Sequence, residues 1–375
     1  MAKSLSELVG DKKKISLYIH VPFCKQKCLY CDFVSYTYGS VENYFEALVH
    51  ELMLYNNVLK RGIKTLYFGG GTPSFVNEHY IEKIVKHLSQ YLFLEEFTIE
   101  VNPDSFDKEK AKIYKEIGVN RISLGLQSLD DIVLKKAGRI HTADQAIKAY
   151  ELANQYYEVV NVDFILGLPG ESWSSIERTV EFVEKYKPEH LSIYILELHE
   201  NTPLVKTYKK LKNETYDYHD ALLEFLESVG YERYEISNFS LNKNYCKHNL
   251  VYWANLDYIG VGLSAGGHVE RIRYNNVSSF QKYYEKIRKN EKPVEYFSKN
   301  NSEKETLESI FMMLRTKWGI DRSLLPDLPK LETLLKFLSS QFEFFDGNKL
   351  SKNGMDQSNA FFGELLKLWE EFYEA

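Results

Sequence analysis

Three cysteines crowd into one short segment, IHVPFCKQKCLYCDF, where Cys24, Cys28 and Cys31 are spaced C-x3-C-x2-C. Thiolates gathered in a single loop are the usual ligands of an iron–sulfur cluster, and a [4Fe–4S] cube has one ligand position to fill on each iron. These cysteines reach three of them. Position 33 is Phe and the remaining cysteine, Cys246, lies far along the chain, so one iron lacks a nearby thiol. An open metal position is where a substrate binds. The competing chemistry is a structural zinc ion held by the same cysteines and His20. The spacing counts against it, because paired C-x2-C knuckles are missing.

Further along, FGGGTPS (68–74) follows a strand-like run. Its glycines are expected to let the backbone approach a ligand closely and to expose N–H groups, although a tight turn explains such a run equally well. Glu100, Gln127 and Asp163 stand near the C-terminal ends of three successive strand-like runs. Barrel enzymes place functional groups at that rim.

The elements that must position these residues alternate through the first 200 positions. Strands are expected at 15–21, 64–69, 97–102, 121–127, 159–167 and 190–196. Helices are expected near 41–60, 77–91, 107–117, 142–157 and 173–186, with Asn77, Asp107 and Thr142 as caps. Six β-then-α units imply a parallel sheet with right-handed crossovers. Alternation is clean: Ile122, Leu124 and Leu126 share one face, Ser123, Gly125 and Gln127 the other. One apolar and one polar face fit outer helices and a ligand-filled concavity. The expected fold is therefore α/β, a partial (β/α)6 TIM-like barrel over 1–200. A linking α/β region follows (201–300), with a helix at 214–230 ending on Gly230. A small winged-helix-like domain (301–375) is expected to contain helix, hairpin and helix, with Asp346-Gly347 at the turn.

The net charge of -6 and pI near 6.0 argue against nucleic acid or an acidic membrane as the main partner. The N-terminal residues lack the apolar core of a secretory signal. No apolar run approaches the ~18 residues of a membrane span. A cytoplasmic location is expected, with peripheral membrane contact left open, and four cysteines there do not form a disulfide framework.

YIHVPFCKQKCLYCDF, FGGGTPS, TIEVNPD, SLGLQS, LKKAGRIHT and NVDFILGLPGES, in that order, resemble the coproporphyrinogen-dehydrogenase-type branch of radical SAM proteins, over nearly the whole chain. The resemblance implies that Cys24, Cys28 and Cys31 ligate a [4Fe–4S] cluster, with Tyr18 and Tyr30 beside the S-adenosylmethionine (SAM) site. It places Gly70, Gly71 and Thr72 at the methionine end and Glu100, Gln127, Arg139 and Asp163 on other SAM atoms. An electron donor for the cluster is implied as well. Porphyrinogen-oxidising members typically read C-x3-C-x2-C-x-C after a longer N-terminal extension; here the last position is Phe33, and 17 residues precede Tyr18. Haem-chaperone members carry H-N-x-x-Y-W, matched by His248-Asn249-Leu250-Val251-Tyr252-Trp253. Haem, and haem-recipient proteins such as respiratory enzymes, are the implied partners.

His248 is a candidate haem ligand, since neutral imidazole suits an axial position, and equally a packed, hydrogen-bonded residue. Cys246 is the rival ligand, or a small buried hydrophobe. Two other functions remain: an oxygen-independent coproporphyrinogen III dehydrogenase, and a zinc-stabilised DNA-binding protein using the C-terminal domain. The acidic charge counts against the second.

Overall fold

The structure, a computed structural model, describes residues 3–211 and 213–373. Twelve strands form one sheet among them: β1 Ile15–Val21, β2 Ile63–Gly70, β3 Leu92–Val101, β4 Arg121–Gln127, β5 Val159–Leu166, β6 His190–Ile195, β7 Glu232–Arg233, β8 Asn238–Ser240, β9 Tyr258–Val261, β10 Gly266–Val269, β11 Ile272–Asn276 and β12 Val294–Lys299. Their order is β12-β11-β10-β9-β1-β2-β3-β4-β5-β6-β8-β7. The expected six units are its centre, parallel and in chain order. β9 adds in parallel to β1, and β8 adds antiparallel to β6. The sheet is open and does not close into a barrel. Residues 201–300 thus extend the same sheet at both edges.

Alternation decides the faces as expected. Ile122, Leu124 and Leu126 are fully buried in the main core, beneath helices that include Val41–Leu54, Glu78–Leu88 and Trp173–Tyr186. Asn77 accepts from the His79 N–H, Asp107 from Lys110, and Thr142 forms a capping box with Gln145; each such cap contributes about 1 kcal/mol. β3 starts at Leu92, five residues before the expected Phe97.

A second core joins Leu5 and Val9 to Leu250, Ile310 and the helices Leu331–Gln341 and Ser358–Tyr373. The hairpin expected there reduces to one bridge, Phe345 to Leu350. The reason is local. Asp346 accepts from the N–H groups of Asn348 and Lys349, closing a tight turn, and Ser351 at once caps the helix Lys352–Asp356, so no residues are left to extend a strand.

Candidate functional site

β1 delivers the chain to the cysteine loop. Cys24 donates its N–H to Tyr36 O (3.0 Å), Tyr36 donates back to Pro22 O (2.7 Å), and the Leu29 N–H reaches Ala137 O (3.0 Å). The loop is therefore clamped at its base and against the Gly138 turn. All three thiols are free; Cys24 is buried, and Cys28 and Cys31 are half-buried. Thr72 Oγ1 donates to Cys24 Sγ (3.4 Å) and Arg139 Nη1 to Cys28 Sγ (3.6 Å). Burial pushes the Cys24 thiol up, and Cys31 up to about 11, so metal must displace protons from them.

His20 takes no part as a metal ligand. Its Nε2 lies 2.8 Å from Val34 O, which can only accept, and Nδ1 accepts from the Tyr18 hydroxyl at 3.1 Å. With both nitrogens engaged, and burial lowering its pKa to about 4, it is a neutral packed imidazole. Among the described residues, no group of three His, Cys, Asp or Glu side chains is arranged to hold a single metal ion. The zinc site expected as an alternative is not built. A four-iron cube makes no such demand, because each thiolate takes its own iron.

The glycine loop works differently from the expectation. Its N–H groups are spent within the protein: Gly70 on Glu100 Oε2 (3.1 Å), Gly71 on Val21 O (2.9 Å) and Thr72 on Phe23 O (2.8 Å). Glycine is needed because backbone stands too near. A Cβ on Gly71 would lie 2.9 Å from both those carbonyl oxygens. The loop thus contributes close approach rather than anion-binding donors.

Below the cysteines lies a cavity of ≈ 420 Å³, lined on the polar face of the sheet. Cys24, Cys28, Cys31, Tyr30, Gly70, Gly71, Thr72, Glu100, Gln127, Arg139 and Asp163 all reach it; Tyr18 stands behind, its ring 6.0 Å from that of Tyr67. Glu100 accepts from the Tyr67 hydroxyl (2.9 Å), and burial raises its pKa to about 7. Asp163 accepts from Asn161 Nδ2 (2.8 Å) and Ser123 Oγ (3.2 Å), and burial again raises its pKa. Gln127 closes β4 with φ 68°, a costly conformation outside glycine that often marks a working site. Arg139 Nη2 donates to Asn102 Oδ1 and Gly125 O, both at 2.9 Å. The short helix Asp131–Lys136, capped by Asp130, brings it there.

The two haem candidates do not line the cavity. His248 and Cys246 are buried. His248 Nδ1 meets Thr65 Oγ1 at 2.8 Å; that hydroxyl donates onward to Ser16 Oγ, so the imidazole donates at Nδ1. Nε2 then accepts from the Tyr252 hydroxyl at 2.7 Å. Cys246 Sγ stands 3.5 Å from Glu96 Oε1, and burial pushes its thiol up to about 12. From the same motif Asn249 does reach the cavity, as do Arg121 and Asn102. Sequence reasoning passed over these three. For Arg121 a signal existed: it shares the inward period of Ser123 and Gly125.

Comparison with known proteins bears on this arrangement. Residues 18–183 match the Radical SAM superfamily. The chain is 33% identical over 323 residues to the heme chaperone HemW of Bacillus subtilis, covering 82% of this chain and 85% of that one. Against the HemW of Buchnera aphidicola subsp. Schizaphis graminum it is 32% identical over 378 residues, 95% and 98% of the two chains. Among solved structures it is similar to coproporphyrinogen III oxidase (HemN) from Escherichia coli, with TM-score 0.81 and 19% identity over 96% of this chain and 92% of that one. At that identity the likeness establishes the fold.

Proposed function

Since the chain belongs to the HemW family of radical SAM proteins, we propose that it is a heme chaperone, which holds haem in the company of a [4Fe–4S] cluster and SAM and passes it to recipient proteins such as respiratory enzymes. The observation that carries the cofactor part is the convergence of three free thiols on one rim of a polar cavity.

Cys24, Cys28 and Cys31 would hold three irons and leave the fourth for SAM, since Cys246 lies apart from the cavity. A reduced cluster of this kind, taking electrons from a separate donor, supplies one-electron chemistry to bound SAM. The protein's own work is orientation. Gly70, Gly71 and Thr72 set the close wall for the methionine end. Asp163 and Glu100, already fixed by neighbouring donors, can accept further hydroxyl or amino hydrogens. Arg139 neutralises the Cys28 side of the rim, and Tyr30 closes it. His248 is the first haem candidate, although both its ring nitrogens are engaged and it does not line the cavity: it would take iron only where haem displaces the Tyr252 hydroxyl from Nε2, with Thr65 keeping Nδ1 fixed, as supporting partners of a metal ligand do.

The test is anaerobic iron–sulfide reconstitution, followed by haem titration and transfer to an apo-haemoprotein. Expected are a brown protein, loss of the cluster on Cys28→Ser, and haem uptake at one per chain with delivery to the acceptor. Robust turnover of coproporphyrinogen without haem delivery would overturn the reading in favour of a dehydrogenase.

A further inference from the structure

The floor of the cavity carries a charged group that the protein satisfies only in part. Arg121 opens β4 on the inward face, is 4% exposed, and lines the cavity. Its Nε has no hydrogen-bond partner, and its Nη2 makes one long contact, 3.4 Å to His190 Nδ1. The carboxylates nearby spend their hydrogen bonds elsewhere, although Glu96 favours the charged guanidinium through space. Glu96 accepts from the Cys246 thiol and from the N–H groups of Lys247 (2.8 Å) and His248 (2.9 Å). Glu100 accepts from Tyr67 and Gly70, and Asp163 from Asn161 and Ser123. A buried guanidinium with an unpaired N–H is costly, and its planar fork matches a carboxylate.

A buried hydroxyl beside it is unsatisfied too, and an amide faces the same cavity. Thr98, whose register partner is Arg121, has a buried hydroxyl with no partner. The Asn249 side chain faces the cavity from the helix Lys247–Trp253, whose first turn Glu96 holds in place, and its amide has no side-chain partner among the described residues. An amide supplies two donors and an acceptor.

We infer that Arg121 and Asn249 form a carboxylate-binding subsite on the cavity floor, opposite the cysteine rim. Within the chaperone reading, on which the identity of the ligand rests, the acid is a propionate of haem, because the amino-acid end of SAM belongs at the opposite rim, against Gly71, Thr72 and the open iron. The motif helix then serves the cavity through Asn249 as well, with Glu96 as the positioning residue that holds its first turn.

The experiment titrates the reconstituted full-length protein with haem, haem dimethyl ester, iron-free protoporphyrin IX and SAM, in wild type, Arg121→Met and Asn249→Ala. Haem should lose roughly tenfold to a hundredfold in affinity in Arg121→Met and a smaller factor in Asn249→Ala, with SAM affinity unchanged. The ester should bind wild type as weakly as haem binds Arg121→Met. Unchanged haem affinity in both variants, or a loss confined to SAM, overturns the subsite. If wild type takes up no haem, the chaperone reading fails while protoporphyrin IX, which keeps both propionates, still judges the subsite. Should Arg121→Met not fold, Asn249→Ala and the ester decide.

Discussion

Replacing Gly71 by alanine isolates what the glycine loop does. The residue is not in the left-handed region, so alanine is strained only by its neighbours. Those neighbours are backbone: the new Cβ would sit 2.9 Å from Val21 O and Phe23 O, the second of which accepts from the Thr72 N–H. Neither oxygen can rotate away, and the loop must shift by a few tenths of an ångström. Overpacking of this kind costs about 1–3 kcal/mol, and two opposed carbonyls place it toward the upper end. The shift also moves Thr72 Oγ1 from Cys24 Sγ, now 3.4 Å away, so cluster occupancy should fall with stability. Gly363→Ala is the internal control. That glycine lies inside the helix Ser358–Tyr373 with nothing within 4 Å of the added carbon, and alanine there should stabilise by about 0.5–1 kcal/mol. Urea midpoints of the metal-free variants and iron per chain after reconstitution are the measurements. A wild-type midpoint and full iron in Gly71→Ala would refute the steric account.

Three further outcomes are expected. Glu51 is fully buried and accepts from Tyr283, Asn276 and the Gly262 N–H, yet burial lifts its pKa from 4.5 to about 7. The folded state therefore holds this proton longer than the unfolded one, and stability present below pH 4.5 is lost as pH rises through about 7; Glu51→Gln should reduce that slope in pH-dependent unfolding. Tyr252→Phe removes the hydroxyl that occupies His248 Nε2, so haem affinity should rise severalfold; a fall would point to a structural role for the pair. Thr142→Ala should lower stability by about 1 kcal/mol through the lost capping box, read in chemical denaturation, with cluster content unchanged.

Much of this was legible in sequence because it is local. Period-two alternation gave the faces of β4 and β5, caps gave the helix starts, and three cysteines in one loop need no tertiary information to be noticed. What stayed hidden depends on partners far along the chain. The ring nitrogens of His248 are settled by Tyr252 and by Thr65, the latter 183 positions away. His20 looks like a ligand until Val34 and Tyr18 are seen on its ring. The glycine loop's N–H groups read as free because Glu100, Val21 and Phe23 reach them only across the sheet. β9 and β10 are four residues each, too short for a periodic signal.

The pairing of β9 with β1 has a consequence in time. The strand that feeds the cysteine loop is flanked by β2 on one side and by β9 on the other. During synthesis the ribosome releases Tyr258–Val261 more than 230 residues after Ile15–Val21, which at ~5–20 residues per second is on the order of ten seconds or more. Through that interval β1 exposes an unpaired edge, and its cysteines hang from a half-finished sheet. Metal delivered early would meet a mobile loop and open thiols. The topology therefore favours cluster insertion after translation has passed β9, which a ribosome stalled before residue 258 should show as a nascent chain that retains no iron.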